Sequence, residues 1–295
     1  MSRAAVATVV RRFCGAEVRR VERVAGSIGN EDFLISTAGA GGFVLKASSG
    51  AALAAEAWAC ERVRREGVLA PEIVAVELVP SSLPMPFLLM RRFVGSPSGS
   101  RDDLLIAAGA QLRRVHAIGM DGFGELRIVD GDARGTSASW ASYVEQILAA
   151  LDRLVSAGVV SGSLAAAARR AVARSGVVEA AEAAGPSVLL HGDLKLQHIF
   201  GDRGRYVGII DWGDASAGDP VFDLGRFSMV GAEALGRLLQ GYGHVDVPDL
   251  ERSLAGYRIV RNVYALTFEM DAGGDWFDVY RDAITAATLL LEDRH

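Results

Sequence analysis

The chain has 295 residues, half of them hydrophobic and 23% charged, which suffices to bury a sizeable core and excludes a disordered chain. No apolar run reaches the roughly 18 residues of a membrane span, and at the start an apolar stretch (Ala4–Val10) precedes Arg11 and Arg12, the reverse of a secretory signal. Net charge is −5 but uneven: residues 1–100 carry 12 Lys and Arg against 9 Asp and Glu, the remainder 19 against 27, which suits an anionic ligand in the first part and a cationic one in the second and argues against nucleic acid.

In chain order, Val18–Ala25 and Asp32–Thr37 read as strands joined by a hairpin-like Gly26-Ser27-Ile28-Gly29-Asn30, and Gly42–Ala47 as a third strand. Ala51–Glu66 is an alanine-rich helix stopped by Gly67. Glu72–Val79 and Phe87–Phe93 form a strand pair across a proline-containing loop. Gly95-Ser96-Pro97-Ser98-Gly99-Ser100 is the clearest composition break, and Ser100 with Asp103 reads as a capping box opening a helix to about Ala117. Further helices are expected over 140–157, 163–184, 231–241, 249–270 and 276–291, interrupted by short strands within 187–211. Strands first, then helices around a small β island, is an α+β pattern of two lobes, 1–95 and 96–295. Cys14 and Cys60 have neither a disulfide framework nor metal-ligand spacing and read as reduced thiols of a cytoplasmic protein.

Two acid-bearing loops end short apolar strands: His191-Gly192-Asp193-Leu194-Lys195-Leu196-Gln197-His198 after Val188-Leu189-Leu190, and Asp211-Trp212-Gly213-Asp214 after Val207-Gly208-Ile209-Ile210. Polar groups between buried strands need partners or a task. Phosphoryl transfer supplies one: a carboxylate orients the attacking hydroxyl, and other donors fix a metal on the nucleotide phosphates. Lys46, inside the apolar strand 42–47, is costly unless paired, and Glu56 follows ten residues later on the next helix.

These motifs resemble the aminoglycoside phosphotransferase and choline-kinase branch of the protein-kinase-like superfamily over roughly residues 18–230. The resemblance implies Asp193 as catalytic base, Lys195 beside the transferred phosphate, and Asp211 with His198 as magnesium ligands. His198 stands where the family's usual Asn is found, and imidazole suits magnesium less well than manganese or zinc. Lys46 and Glu56 resemble the kinase pair that holds the phosphates of ATP or GTP. Ser27 and Asn30 fall in the loop expected over those phosphates, and Met90, Arg91 and Phe93 in the segment expected to clasp the purine. Asp223, after Gly218-Asp219-Pro220, is expected to brace the catalytic loop.

For the second substrate, Glu269, Asp271, Asp275 and Asp278 cluster around Gly273-Gly274, and several carboxylates suit several ammoniums. Glu145 and Asp152 are further candidates. The resemblance thus implies a monomeric or weakly dimeric kinase that phosphorylates a hydroxyl of a small cationic molecule, an aminoglycoside first. Alternatives are another acceptor (choline or other amino alcohol, sugar, macrolide or peptide antibiotic) and a nucleotide-binding pseudokinase. No Ala-Pro-Glu segment or long activation loop follows Asp211, which argues against a protein kinase.

Overall fold

The computed structural model describes residues 1–24, 31–39, 41–99 and 101–292. A helix that the sequence reading missed, α1 (Arg3–Cys14), opens the chain: Ser2 caps it by accepting from Ala5 N, and Val6, Val9 and Val10 share its buried face. Five antiparallel strands follow, β1 (Val18–Arg23), β2 (Glu31–Thr37), β3 (Gly42–Ala47), β4 (Ile73–Glu77) and β5 (Phe87–Arg91), in the order β1-β2-β3-β5-β4. Strand alternation gives the sheet two faces. Phe33, Ile35, Phe43, Leu45, Phe87 and Leu89 pack with α1 on one. Leu88 and Met90 pack with Leu53 and Ala57 of α2 (Gly50–Arg65) on the other. Lys46 lies one residue out of phase with Phe43, Leu45 and Ala47, so the pleat turns it away from the α1 side.

The composition break at 95–100 is not a free linker. Its residues Ser96–Pro97 form β6, which pairs with β10 (Ile199–Asp202). The next helix, α3 (Asp102–Val115), begins at Arg101 with no side-chain cap, and Asp103 pairs with Arg101 at 3.2 Å; Ser100, on which the expected capping box rests, lies outside the described residues. A hairpin absent from the sequence reading comes next, β7 (Phe123–Val129) and β8 (Asp132–Ser137), turning through Asp130 and Gly131, both at positive φ.

Helix α4 (Trp140–Ser156) agrees with expectation, but the helix expected over 163–184 is two, α5 (Gly162–Ser175) and α6 (Val177–Ala184), broken where Gly176 takes a left-handed φ of 69°. The β island comprises β9 (Val188–Leu190), β10, β11 (Arg205–Ile209) and β12 (Ser216–Gly218). Helices α7 (Pro220–Ser228), α8 (Ala232–Tyr242), α9 (Leu250–Asp271) and α10 (Phe277–Glu292) complete the chain. The smaller sheets run β11-β10-β6 and β8-β7-β12-β9. Around them the helices enclose Trp140, Tyr257, Phe222 and Phe227, with Trp140 Nε1 donating to Tyr257 Oη at 2.9 Å. This is a two-lobed, protein-kinase-like α+β architecture. Among the described residues no helix is long and apolar enough to cross a membrane.

Helices α3 and α8 touch backbone to backbone. A Cβ at Gly109 would lie 1.9 Å from the Leu238 carbonyl oxygen. Neither helix can yield without moving the core, so Gly109→Ala is expected to cost about 3 kcal/mol, the upper part of the overpacking range. Urea denaturation measures this; an unchanged midpoint would show that the helices can part.

Candidate active site

Strand β9 carries the buried Leu189 and Leu190 into His191, which is fully buried. The turn that follows is tight: a Cβ on Gly192, at φ 83°, would lie 1.9 Å from the Asp214 carbonyl oxygen, so only glycine lets the two acid-bearing loops approach. Asp223 of α7 braces this turn. Its Oδ2 accepts from His191 N at 2.7 Å and its Oδ1 from Gly192 N at 2.8 Å, and His116 Nε2 lies 3.1 Å from Oδ2. Burial alone would raise the Asp223 carboxyl, but His116 and the backbone donors hold it below the ordinary carboxylate value. His191 Nε2 donates to Ile210 O at 3.0 Å and its Nδ1 accepts from Asp193 N at 3.2 Å; burial pushes this imidazole down and keeps it neutral.

The second loop is delivered by the β10–β11 hairpin. Ile199 pairs with Ile209, so His198, just before β10, and Asp211, just after β11, emerge at the same end. His198 Nε2 lies 3.1 Å from Asp211 Oδ2. Asp211 itself has φ 67°, a left-handed conformation that costs a non-glycine residue energy and is found where function requires it. Its other oxygen, Oδ1, accepts from Lys46 Nζ at 2.7 Å, and Lys46 also donates to Glu56 Oε1 at 2.6 Å. The lysine and glutamate side chains are only 12% and 5% exposed. Burial would strip the Lys46 proton, yet Glu56 and Asp211 hold its ammonium above the usual value. Burial lifts the Glu56 carboxyl against the pull of Lys46. The Asp211 side chain is 44% exposed, and Lys46 and then His198 outweigh its partial desolvation and hold its carboxyl well down.

Asp193 sits between these groups and the helices, its side chain 15% exposed. Oδ2 accepts from Lys195 Nζ at 2.9 Å; Oδ1 accepts from Arg226 Nε at 2.6 Å and Arg261 Nη2 at 2.9 Å. Arg261 also reaches Asp214 Oδ2 at 2.8 Å. Burial would raise the Asp193 carboxyl, but Arg261, Arg226 and Lys195 outweigh it and keep it ionised. Arg226 and Arg261 were missed by the sequence reading, because charged residues on helices far along the chain carry no local mark of a buried partner; Asp214 was read only as the end of the second acid-bearing loop.

A metal site can be tested against these donors. Asp211 Oδ2 and His198 Nε2 face one another, and His198 Nδ1 is buried with no partner among the described residues. Among the described residues no group of three or more His, Cys, Asp or Glu side chains is arranged to hold an ion. A pair such as Asp211 and His198, leaving the remaining positions to phosphates and water, fits how magnesium is bound beside a nucleotide.

The other expected residues are distributed as follows. Met90 is buried against α2; Arg91 turns to the opposite face of the sheet, over the Phe43 ring at 5.2 Å and 3.5 Å from Glu72; Phe93 packs on Phe200. Ser27 and Asn30 lie outside the described residues. The four C-terminal acids do not form one cradle. Glu269 is buried, its Oε1 accepting from Trp276 N; Asp271 pairs with Arg153 and Asp278 with Arg281, both at the surface; Asp275 is exposed. Asp152 pairs with Arg169 at 3.1 Å.

Residues 20–257 match the phosphotransferase enzyme family APH. No curated protein matches the chain in sequence. Among solved structures, aminoglycoside phosphotransferase APH(4)-Ia in ternary complex with ADP and hygromycin B aligns at a TM-score of 0.73 and 16% identity, over 95% of this chain and 96% of that one. A Thermobifida fusca protein assigned as a fructosamine-3-kinase aligns at 0.68 and 20%, over 96% and 98%. Macrolide 2'-phosphotransferase MphH from Brachybacterium faecium aligns at 0.65 and 17%, over 97% of both chains. At such identities the likeness is one of fold.

Proposed function

The chain belongs to the phosphotransferase enzyme family, and from that premise we propose that it transfers the γ-phosphate of ATP or GTP to a hydroxyl of a small molecule. Residues 1–95 serve as the nucleotide-binding lobe and 96–295 as the catalytic and acceptor-binding lobe. The observation that carries this reading is the convergence of Lys46, Glu56, Asp211 and His198 within hydrogen-bond contact, with Asp193 on the adjoining loop. Lys46, held by Glu56, meets the phosphates of the nucleotide. Asp193 orients the acceptor hydroxyl and takes its proton, and Lys195, bonded to the same carboxylate, lies where it can neutralise the transferring group. Asp211 and His198 would hold magnesium, which supplies charge neutralisation of the phosphates.

For the acceptor we propose a polyhydroxylated cation of the aminoglycoside type. The acidic balance of residues 101–295 and the fold shared with a protein captured with hygromycin B support it. Exposed Asp275, with Asp271 and Asp278 once released from their surface arginines, would meet the ammoniums. The fold is also shared with a macrolide 2'-phosphotransferase and a protein assigned as a fructosamine-3-kinase, which supports a second reading: another sugar or amino alcohol as acceptor. Purified protein supplied with ATP or GTP and a panel of aminoglycosides, macrolides, sugars and amino alcohols tests both. Turnover on one class names the acceptor. Nucleotide binding with no transfer to any acceptor would instead support a pseudokinase.

His198 gives a metal prediction. Imidazole is a softer donor than an amide, so manganese is expected to support turnover at lower concentration than magnesium, and His198→Asn to reverse the order. An identical metal requirement in both proteins would remove His198 from the metal site.

A further inference from the structure

We propose that Arg226 and Arg261 are positioning residues for phosphoryl transfer: together they pin Oδ1 of Asp193 and leave Oδ2 as the oxygen that receives the acceptor's proton. The inference rests on the phosphotransferase reading of Asp193 and adds which oxygen works and what holds it in place. Two guanidiniums from two helices, α7 and α9, converge on one oxygen, Arg226 Nε at 2.6 Å and Arg261 Nη2 at 2.9 Å. Oδ2 has a single protein partner, Lys195 Nζ at 2.9 Å, carried by a side chain that is one-third exposed and belongs to the same loop. A carboxylate tied on one side by two rigid forks cannot swing about its own axis, so the free side points one way.

Arg261 does a second job. Its Nη2 also bonds Asp214 Oδ2 at 2.8 Å, so one guanidinium ties the catalytic loop to the loop that begins at Asp211. Its side chain is 8% exposed, and a charge that deep is retained only with partners on hand. Arg226 is 18% exposed, and its Nη groups have no protein hydrogen bond among the described residues, so its Nε bond to Asp193 is the contact that defines it. The charged and titratable groups facing Asp193 are His191, Lys195 and His198 from its own loop, Arg226 from α7, Arg261 from α9 and Tyr280 from α10. The cations prevail over burial, so Asp193 is ionised and a weak base. Orientation is then its main contribution, with the proton moving late. In the step itself the acceptor oxygen bonds to the γ-phosphorus and its proton passes to Oδ2. The bond from that phosphorus to the bridging oxygen breaks, and the nucleoside diphosphate leaves with the electron pair.

The test compares Arg226→Gln and Arg226→Lys with wild type, with Arg261→Lys as a second, more buried position. Arg226→Gln is expected to lower kcat by about 100-fold, the cost of a misplaced catalytic group, with the nucleotide KM and thermal midpoint nearly unchanged. The acid limb of its pH–kcat profile should move toward neutrality, and Arg226→Lys should restore part of both. The charge of Asp193 is also read without turnover, from the side-chain carbon resonances of aspartate, with Asp193→Asn giving the assignment. In wild type that resonance should stay at its ionised position into acid, and in Arg226→Gln it should titrate at higher pH. An unmoved acid limb and an unmoved resonance would overturn the proposal, as would a fall in kcat accompanied by a raised nucleotide KM and a lowered thermal midpoint. Absence of nucleotide turnover in wild type would instead remove the phosphotransferase reading, with the resonance still deciding what the arginines do.

Discussion

Asp193→Asn is expected to lower kcat by about 10²–10⁴-fold, the contribution of a positioned general base, with the nucleotide KM close to wild type. The substitution keeps the shape of the side chain, and its remaining oxygen can still accept from Arg226 and Arg261. It removes the charge that orients the hydroxyl and sets an amide N–H₂ against the Lys195 ammonium, donor against donor. Stability follows a different course. In the folded chain this carboxyl is depressed by Arg261 and Arg226, so its ionic stabilisation is present above the ordinary carboxylate value and fades only as pH falls through the depressed one. The stability gap between wild type and Asp193→Asn should therefore be widest near neutral pH and narrow in acid. Steady-state kinetics and denaturation at two pH values check both halves, and an undiminished kcat would remove Asp193 from the chemistry.

Lys46→Met is the second large effect. Removing one member of a buried ion pair leaves the other uncompensated, which costs about 3–5 kcal/mol. Glu56 bears most of it, because its side chain is 5% exposed while that of Asp211 is 44% exposed and can turn to water. The double variant Lys46→Met with Glu56→Gln should recover part of the lost stability without recovering nucleotide binding. Urea denaturation and nucleotide titration separate the two readouts. If the single variant bound nucleotide as tightly as wild type, Lys46 would be a structural ion pair and no more.

The Lys46–Glu56 pair was legible because its signals are local. Lys46 interrupts an apolar strand, Glu56 follows on the next helix, and the pleat together with the strand order brings them to 2.6 Å. Asp193 and Asp211 each follow a short apolar strand, and one hairpin brings His198 and Asp211 together. Strand β3 was read with its observed ends, whereas α1 was missed because three β-branched valines in a short stretch carry little helix propensity. Hairpin β7–β8 carried an Asp-Gly turn signal at Asp130-Gly131 that was passed over, and α7 one in Asp219, which caps it, followed by Pro220 at its first turn.

The acceptor side was not legible for a tertiary reason. Arg226 and Arg261 lie 33 and 68 residues from Asp193 and have the spacing of ordinary helix-surface charges; only the packing of α7 and α9 brings them to its carboxylate. The same applies in reverse to the C-terminal acids, which cluster in sequence but point apart: Glu269 inward to its own loop, Asp271 to Arg153 and Asp278 to Arg281. A run of like charges identifies a face of a helix, not the partners its members choose.

The central claim, that this site moves phosphate from a nucleotide to a small-molecule hydroxyl, is tested most directly by following a labelled γ-phosphate. Purified protein is incubated with γ-labelled ATP or GTP, divalent metal and the acceptor panel, beside Asp193→Asn. The account predicts label appearing on one acceptor class with wild type and not with the variant. Label remaining on the nucleotide for every acceptor while the nucleotide is demonstrably bound, or equal transfer by the variant, would contradict it.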